Sequence, residues 1–115
     1  MAIATLFLLA ALAASDISGT WQFTVETAAG TGNPTFTFKQ EGEKLTGTYE
    51  GLLGKADVSG TVKGDEVEFS FEGAYEGQKF KVRYRGKILD PASMKGTAQF
   101  AEMGEASWTA AKKKT

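Results

Sequence analysis

Three glutamates, Glu66, Glu68 and Glu72, occupy even positions in one stretch, and five cations, Lys79, Lys81, Arg83, Arg85 and Lys87, occupy odd positions in the next. Carboxylates two residues apart on a strand lie about 7 Å from each other, a spacing compatible with glycoside hydrolysis. That reaction also needs one carboxyl kept protonated by burial. Here the glutamates alternate with Val67, Phe69 and Phe71 and face away from them. They are expected to be solvated, ionised and paired with the basic strand. The cations could instead track a phosphate backbone, but such readers interleave exposed aromatic rings for stacking. Phe80, Val82 and Tyr84 fall on the opposite face, so no nucleic-acid partner is expected.

Histidine and cysteine are both absent. That removes the imidazole base, the thiolate nucleophile, disulfides and zinc-thiolate sites. No carboxylate-rich loop of the calcium type is present. The chain is therefore expected to be no enzyme and to carry no metal or cofactor. Thirteen basic residues against 14 acidic ones leave no overall field to recruit polyanions or acidic lipid.

What positions these residues is a period of two that runs from Gly19 to Lys113. Eight stretches carry it: Thr20 to Glu26, Thr35 to Gln40, Lys44 to Glu50, Lys55 to Lys63, Glu66 to Glu72, Gln78 to Ile88, Ser93 to Phe100 and Glu105 to Lys112. Alternation of this kind makes strands with one buried face. Between them lie turn residues such as Ala28 to Pro34, Glu41-Gly42-Glu43 and Gly73 to Gly77, with no room for a crossover helix. Every strand then pairs with the next. The predicted fold is all-β, an eight-stranded antiparallel up-and-down meander barrel formed by residues 15–115.

Trp21, Phe23, Val25, Phe36, Phe38, Leu45, Tyr49, Phe69, Phe71, Tyr84 and Trp108 are among the residues placed inside, and a one-residue slip would exchange the two faces. Charge suggests one register. If Phe71 faces Phe80, then Glu72 meets Lys79, Glu68 meets Arg83 and Glu66 meets Arg85. Glycine recurs on the inward face at Gly47, Gly60, Gly86 and Gly96. Such glycines let a strand coil tightly around a small barrel, or they open space for a ligand.

Gly19-Thr20-Trp21 and Leu45-Thr46-Gly47-Thr48-Tyr49-Glu50 resemble phrases of the calycin barrels, the avidins, lipocalins and fatty-acid-binding proteins, with avidins nearer. The resemblance implies that Trp21 closes one end of the cavity beside a basic side chain from the last strand, for which Lys112 is the candidate. Of the biotin-contacting pattern, Tyr49 has a counterpart. Gly51 stands where a serine belongs, and Trp108 is the one further tryptophan, so the resemblance does not extend to biotin. The mature part is also similar to small exported bacterial proteins of unknown function.

Small eight-stranded barrels either hold one modest ligand or fill with side chains. Tyr49 and Tyr84 are the candidate polar contacts of a ligand site, with Trp21 and Trp108 as its walls. The expectation is a non-catalytic barrel binding a small apolar or amphipathic molecule. The alternative is a side-chain-filled barrel that serves protein interaction or self-assembly through its loops, an open edge or the N-terminal segment.

Residues 2–14 are apolar except Thr5. As a helix they would span about 20 Å, short of the roughly 30 Å needed for a stable membrane span. Ala11-Leu12-Ala13 fits a small-x-small cleavage site, although no Lys or Arg precedes Lys39. Residues 1–14 are thus read as an export signal and the protein as secreted or periplasmic. A lipid-surface anchor and a segment packing on the domain or on another copy are the other readings.

Overall fold

The computed structural model describes residues 16–101 and 104–113; residues 1–14, read above as an export signal, lie outside them. Nine strands follow in order: β1 (Gly19–Thr27), β2 (Gly30–Gly32), β3 (Thr35–Glu41), β4 (Lys44–Gly51), β5 (Gly54–Lys63), β6 (Glu66–Tyr75), β7 (Gln78–Asp90), β8 (Ser93–Phe100) and β9 (Glu105–Lys112). All pair antiparallel, and β1 pairs with β9, which closes the sheet into a barrel.

The nine strands make eight ribbons. Val25 faces Gly32 and Gln22 faces Thr35, the same register on either side of Asn33-Pro34. β2 and β3 are therefore one ribbon, interrupted where proline has no N–H to give a ladder. The Pro34 carbonyl still accepts from the Phe23 N–H at 3.0 Å. The segment Ala28 to Pro34, expected as a link, is thus paired at Gly30 to Gly32, with Ala28-Ala29 as its turn.

The strands alternate buried and exposed as the period of two requires, and Trp21, Phe23, Phe36, Leu45, Phe69, Val82, Tyr84 and Met94 are almost fully enclosed. Phe23 lies at the centre, its ring centroid 4.4 Å from Phe36, 4.8 Å from Trp108 and 5.8 Å from Tyr84. Rings fill the middle of the barrel.

The register of the β6–β7 hairpin differs from the expected one by two residues. Phe71 faces Val82 rather than Phe80, Glu68 faces Arg85, Glu66 faces Lys87 and Glu72 faces Lys81. The cause is the turn. Glu76 and Gly77 both have positive φ, 52° and 83°, as a two-residue hairpin turn of the twist-matched kind demands. Strand pairing consequently runs on through Tyr75 and Gln78 instead of stopping at Glu72. A two-residue shift preserves the faces, so the core is unaffected.

The inward glycines serve close approach, not open space. A Cβ at Gly47 would run into the Thr37 carbonyl, one at Gly60 into the Glu68 carbonyl, and one at Gly96 into the Arg85 carbonyl. In register, Gly47 lies opposite Phe38, Gly60 opposite Phe69, and Gly96 opposite both Gly86 and Trp108. Aromatic neighbours take up the room that the missing side chains leave.

Candidate functional site

The two ends of the barrel differ. At the end holding the β3–β4, β5–β6 and β7–β8 turns, the entering chain closes the interior. Ile17 is buried, its carbonyl accepts from Trp21 Nε1 at 2.9 Å, and its N–H donates to Gln40 Oε1 at 2.9 Å. Ser18 Oγ accepts from the Gln40 N–H at 2.9 Å, which fixes the plug to β3. Lys112 pairs in register with Trp21, and its Cε lies over Gly19. The first-strand tryptophan thus sits at a closed end beside a last-strand lysine.

At the opposite end, Tyr49 and Tyr84 come together. They line a pocket of about 220 Å³ with Val25, Leu53, Phe100 and Pro34, beneath the β1–β2 hairpin. Tyr49 stacks on Phe71 with centroids 4.2 Å apart and rings 18° from parallel. Tyr84 stacks on Phe69 at 5.1 Å and 21°. β4 and β7 position the two phenols, and both residues are buried.

Their hydroxyls are not equivalent. Tyr49 Oη accepts the Leu53 N–H at 3.2 Å. Burial raises the Tyr49 pKa, and that hydrogen bond works against the rise. The Tyr84 hydroxyl makes no hydrogen bond with the described residues, and since no polar side-chain atom among them is both buried and unpaired, it stays open to water where Tyr84 lines the pocket. Burial first, and the neighbouring Tyr49 phenol second, push its pKa well above the usual tyrosine value. At neutral pH the mouth therefore offers an uncharged phenol able to donate one hydrogen bond inside an apolar surround.

The two tryptophans do not join this pocket. Trp21 belongs to the closed end. Trp108 lies between, 5.8 Å from the Tyr84 ring, and donates Nε1–H to the Thr97 carbonyl at 2.8 Å. The walls of the pocket come instead from Leu52 and Leu53 in the β4–β5 turn, from Phe100, and from the Ala29 to Pro34 segment. Leu52, 83% exposed, was missed by the alternation of the strands; the signal that would have found it is a large apolar residue in an exposed turn. Among the described residues no group of three acidic side chains is placed to hold a metal ion. Glu66, Glu68 and Glu72 are exposed on the outer face, and Glu68 lies 3.4 Å from Arg85.

No known protein family matches the sequence, and no curated protein matches it. Two solved structures share its architecture. One is a redesigned beta barrel, 20% identical, with a TM-score of 0.72 over 89% of this chain and 96% of that chain. The other is a de novo designed fluorescence-activating beta barrel, 18% identical, with a TM-score of 0.61 over 88% of this chain and 97% of that chain. By fold, the chain is a small eight-stranded antiparallel β-barrel similar to designed barrels.

Proposed function

We propose that the protein is an exported, non-catalytic barrel that binds one small apolar or amphipathic molecule at the Tyr49–Tyr84 end. The observation carrying this reading is the Tyr84 hydroxyl, a donor with no hydrogen-bond partner among the described residues, at a pocket lined by Val25, Leu53 and Phe100. A ligand acceptor would take the hydrogen bond that this hydroxyl is otherwise left to give to water. The pocket is smaller than the roughly 300–1,000 Å³ of drug-sized sites. A ligand about the size of one or two rings, bearing a carbonyl or hydroxyl, suits it. The similar designed barrel described as fluorescence-activating supports the reading at the level of architecture. The apolar segment of residues 2–14 supports export.

The filled interior supports a second reading, in which the barrel is a rigid support for protein interaction or self-assembly. An NMR titration of the amides with indole, 1-naphthol and decanoate separates the two. Ligand binding should shift the Leu53 amide saturably, because that N–H bonds Tyr49 at the pocket wall. Gly32 lines the pocket with open space at its Cβ position, so Gly32→Leu should fill the site and abolish the shifts while the fold persists. Flat titrations with every probe would remove the ligand reading and leave the interaction module.

A further inference from the structure

On the outer face of the barrel, strand pairing is also charge pairing. Glu41 faces Lys44, Glu50 faces Lys55, Lys63 faces Glu66, Glu66 faces Lys87, Glu68 faces Arg85, and Glu72 faces Lys81. Among the described strand pairs, a single one sets like charges directly opposite each other: Lys87 on β7 and Lys95 on β8. Like charges in that position destabilise a sheet. Both side chains are exposed, so packing does not call for either.

The exception falls in a cleft. Lys87 and Lys95 line an outer-face concavity of about 680 Å³ together with Lys63, Arg85, Thr97 and Thr109. In register the lysine row reads Lys63, Glu66, Lys87, Lys95, Thr109, so Lys95 has a hydroxyl rather than a carboxylate on its other side. The adjacent row is neutralised by Arg85 and Glu68, 3.4 Å apart. Four cations against two carboxylates leave the cleft with two spare positive charges. Among the described residues no ion pair engages Lys63, Lys87 or Lys95.

We propose that this cleft is a second binding site, in which Lys87 and Lys95 hold the dianionic phosphate of a small phosphate monoester. Two ammonium groups from directly opposed strand positions match the double charge, and Thr97 and Thr109 supply neutral donors at its edge. The ligand removes the repulsion that the empty sheet bears. The site lies on the opposite face of the sheet from Tyr49 and Tyr84 and does not depend on the reading of that pocket.

The test is an NMR titration at low ionic strength with phenyl phosphate, phenyl sulfate and heparin. Phenyl phosphate should give saturable shifts at the amides of Lys87, Lys95, Thr97 and Thr109. Its affinity should fall at least tenfold in Lys95→Gln and be unchanged in Lys79→Gln. It should also weaken between about pH 7 and pH 5, as the phosphate takes up its second proton near pH 6. Lys95→Glu should abolish binding and raise Tm, since it converts a repulsive pair into an attractive one. Equal affinity for phenyl sulfate, a monoanion, would overturn the assignment. So would binding of heparin alone, unchanged affinity in Lys95→Gln, or a lower Tm in Lys95→Glu.

Discussion

The indole of Trp108 lies across Gly86, so that a Cβ at position 86 would stand 2.6 Å from Cζ2 and 2.8 Å from Cη2 of the ring. The same Cβ would run into the Lys95 carbonyl. The tryptophan thus occupies the volume that glycine vacates, and its Nε1–H is spent on the Thr97 carbonyl next door. Ring and glycine form one packing unit.

Gly86→Ala should accordingly destabilise the barrel by about 1–3 kcal/mol, the usual penalty for overfilling a packed core. Urea unfolding followed by Trp fluorescence measures it. Gly32→Ala, with nothing near its Cβ position, is the matched control and should stay within about 0.5 kcal/mol of the parent.

Ile17 precedes the first strand yet is as buried as the core, and its carbonyl holds Trp21. Ile17→Ala should cost about 2–5 kcal/mol by opening the closed end. The Trp21 emission should shift to longer wavelength as water reaches the indole. An unaltered spectrum and Tm would show that residues 16–18 do not form the plug.

The β6–β7 register can be read by charge reversal. Glu68 and Arg85 lie 3.4 Å apart but are largely exposed, so screening leaves their pair worth roughly a few tenths of a kcal/mol. Exchanging the two residues together should restore most of what either reversal alone loses. Glu68 with Arg83, the pair expected from charge alone, should show no coupling. A double-mutant cycle in low salt decides between the registers.

Both phenols have pKa values raised above the ordinary 10.0. The fold therefore favours the neutral form. This contribution is complete below about pH 10, where unfolded phenols are protonated as well, and is lost as pH rises through the folded-state values. Tyr84→Phe should leave stability nearly unchanged at pH 7, because its hydroxyl has no hydrogen bond to lose among the described residues and is open to water. The same substitution should reduce the loss of stability between about pH 9 and pH 11. Urea midpoints across that range provide the check; identical alkaline slopes in both proteins would contradict the raised Tyr84 pKa.

Much of the barrel was legible in the residue order because sidedness is a local property. A strand turns each successive side chain over, so Phe69 and Phe71 must share a face and Glu68 must lie on the other whatever the partner strand is. Short turns without crossover helices then left a meander as the available topology. Tyr49 and Tyr84 were recognisable as inward phenols by the same argument. Their neighbours at the pocket were not. Leu52, Leu53 and the β2 residues come from turns and from a ribbon that Pro34 interrupts, where alternation gives no signal.

Tertiary structure decided what depends on distances between strands. A two-residue slip of β6 against β7 keeps every residue on its face and changes only pairs worth roughly a few tenths of a kcal/mol each, so charge could not choose the register. The left-handed backbone at Glu76-Gly77 chose it. Whether the inward glycines opened a cavity or admitted a ring was a question of volume, answered by Trp108 across Gly86 and by Phe69 opposite Gly60. The separation of Trp21 from the two tyrosines had the same origin. Inward-facing residues share a face by parity, but their height along the barrel is set by closure of β1 on β9, which no single segment encodes.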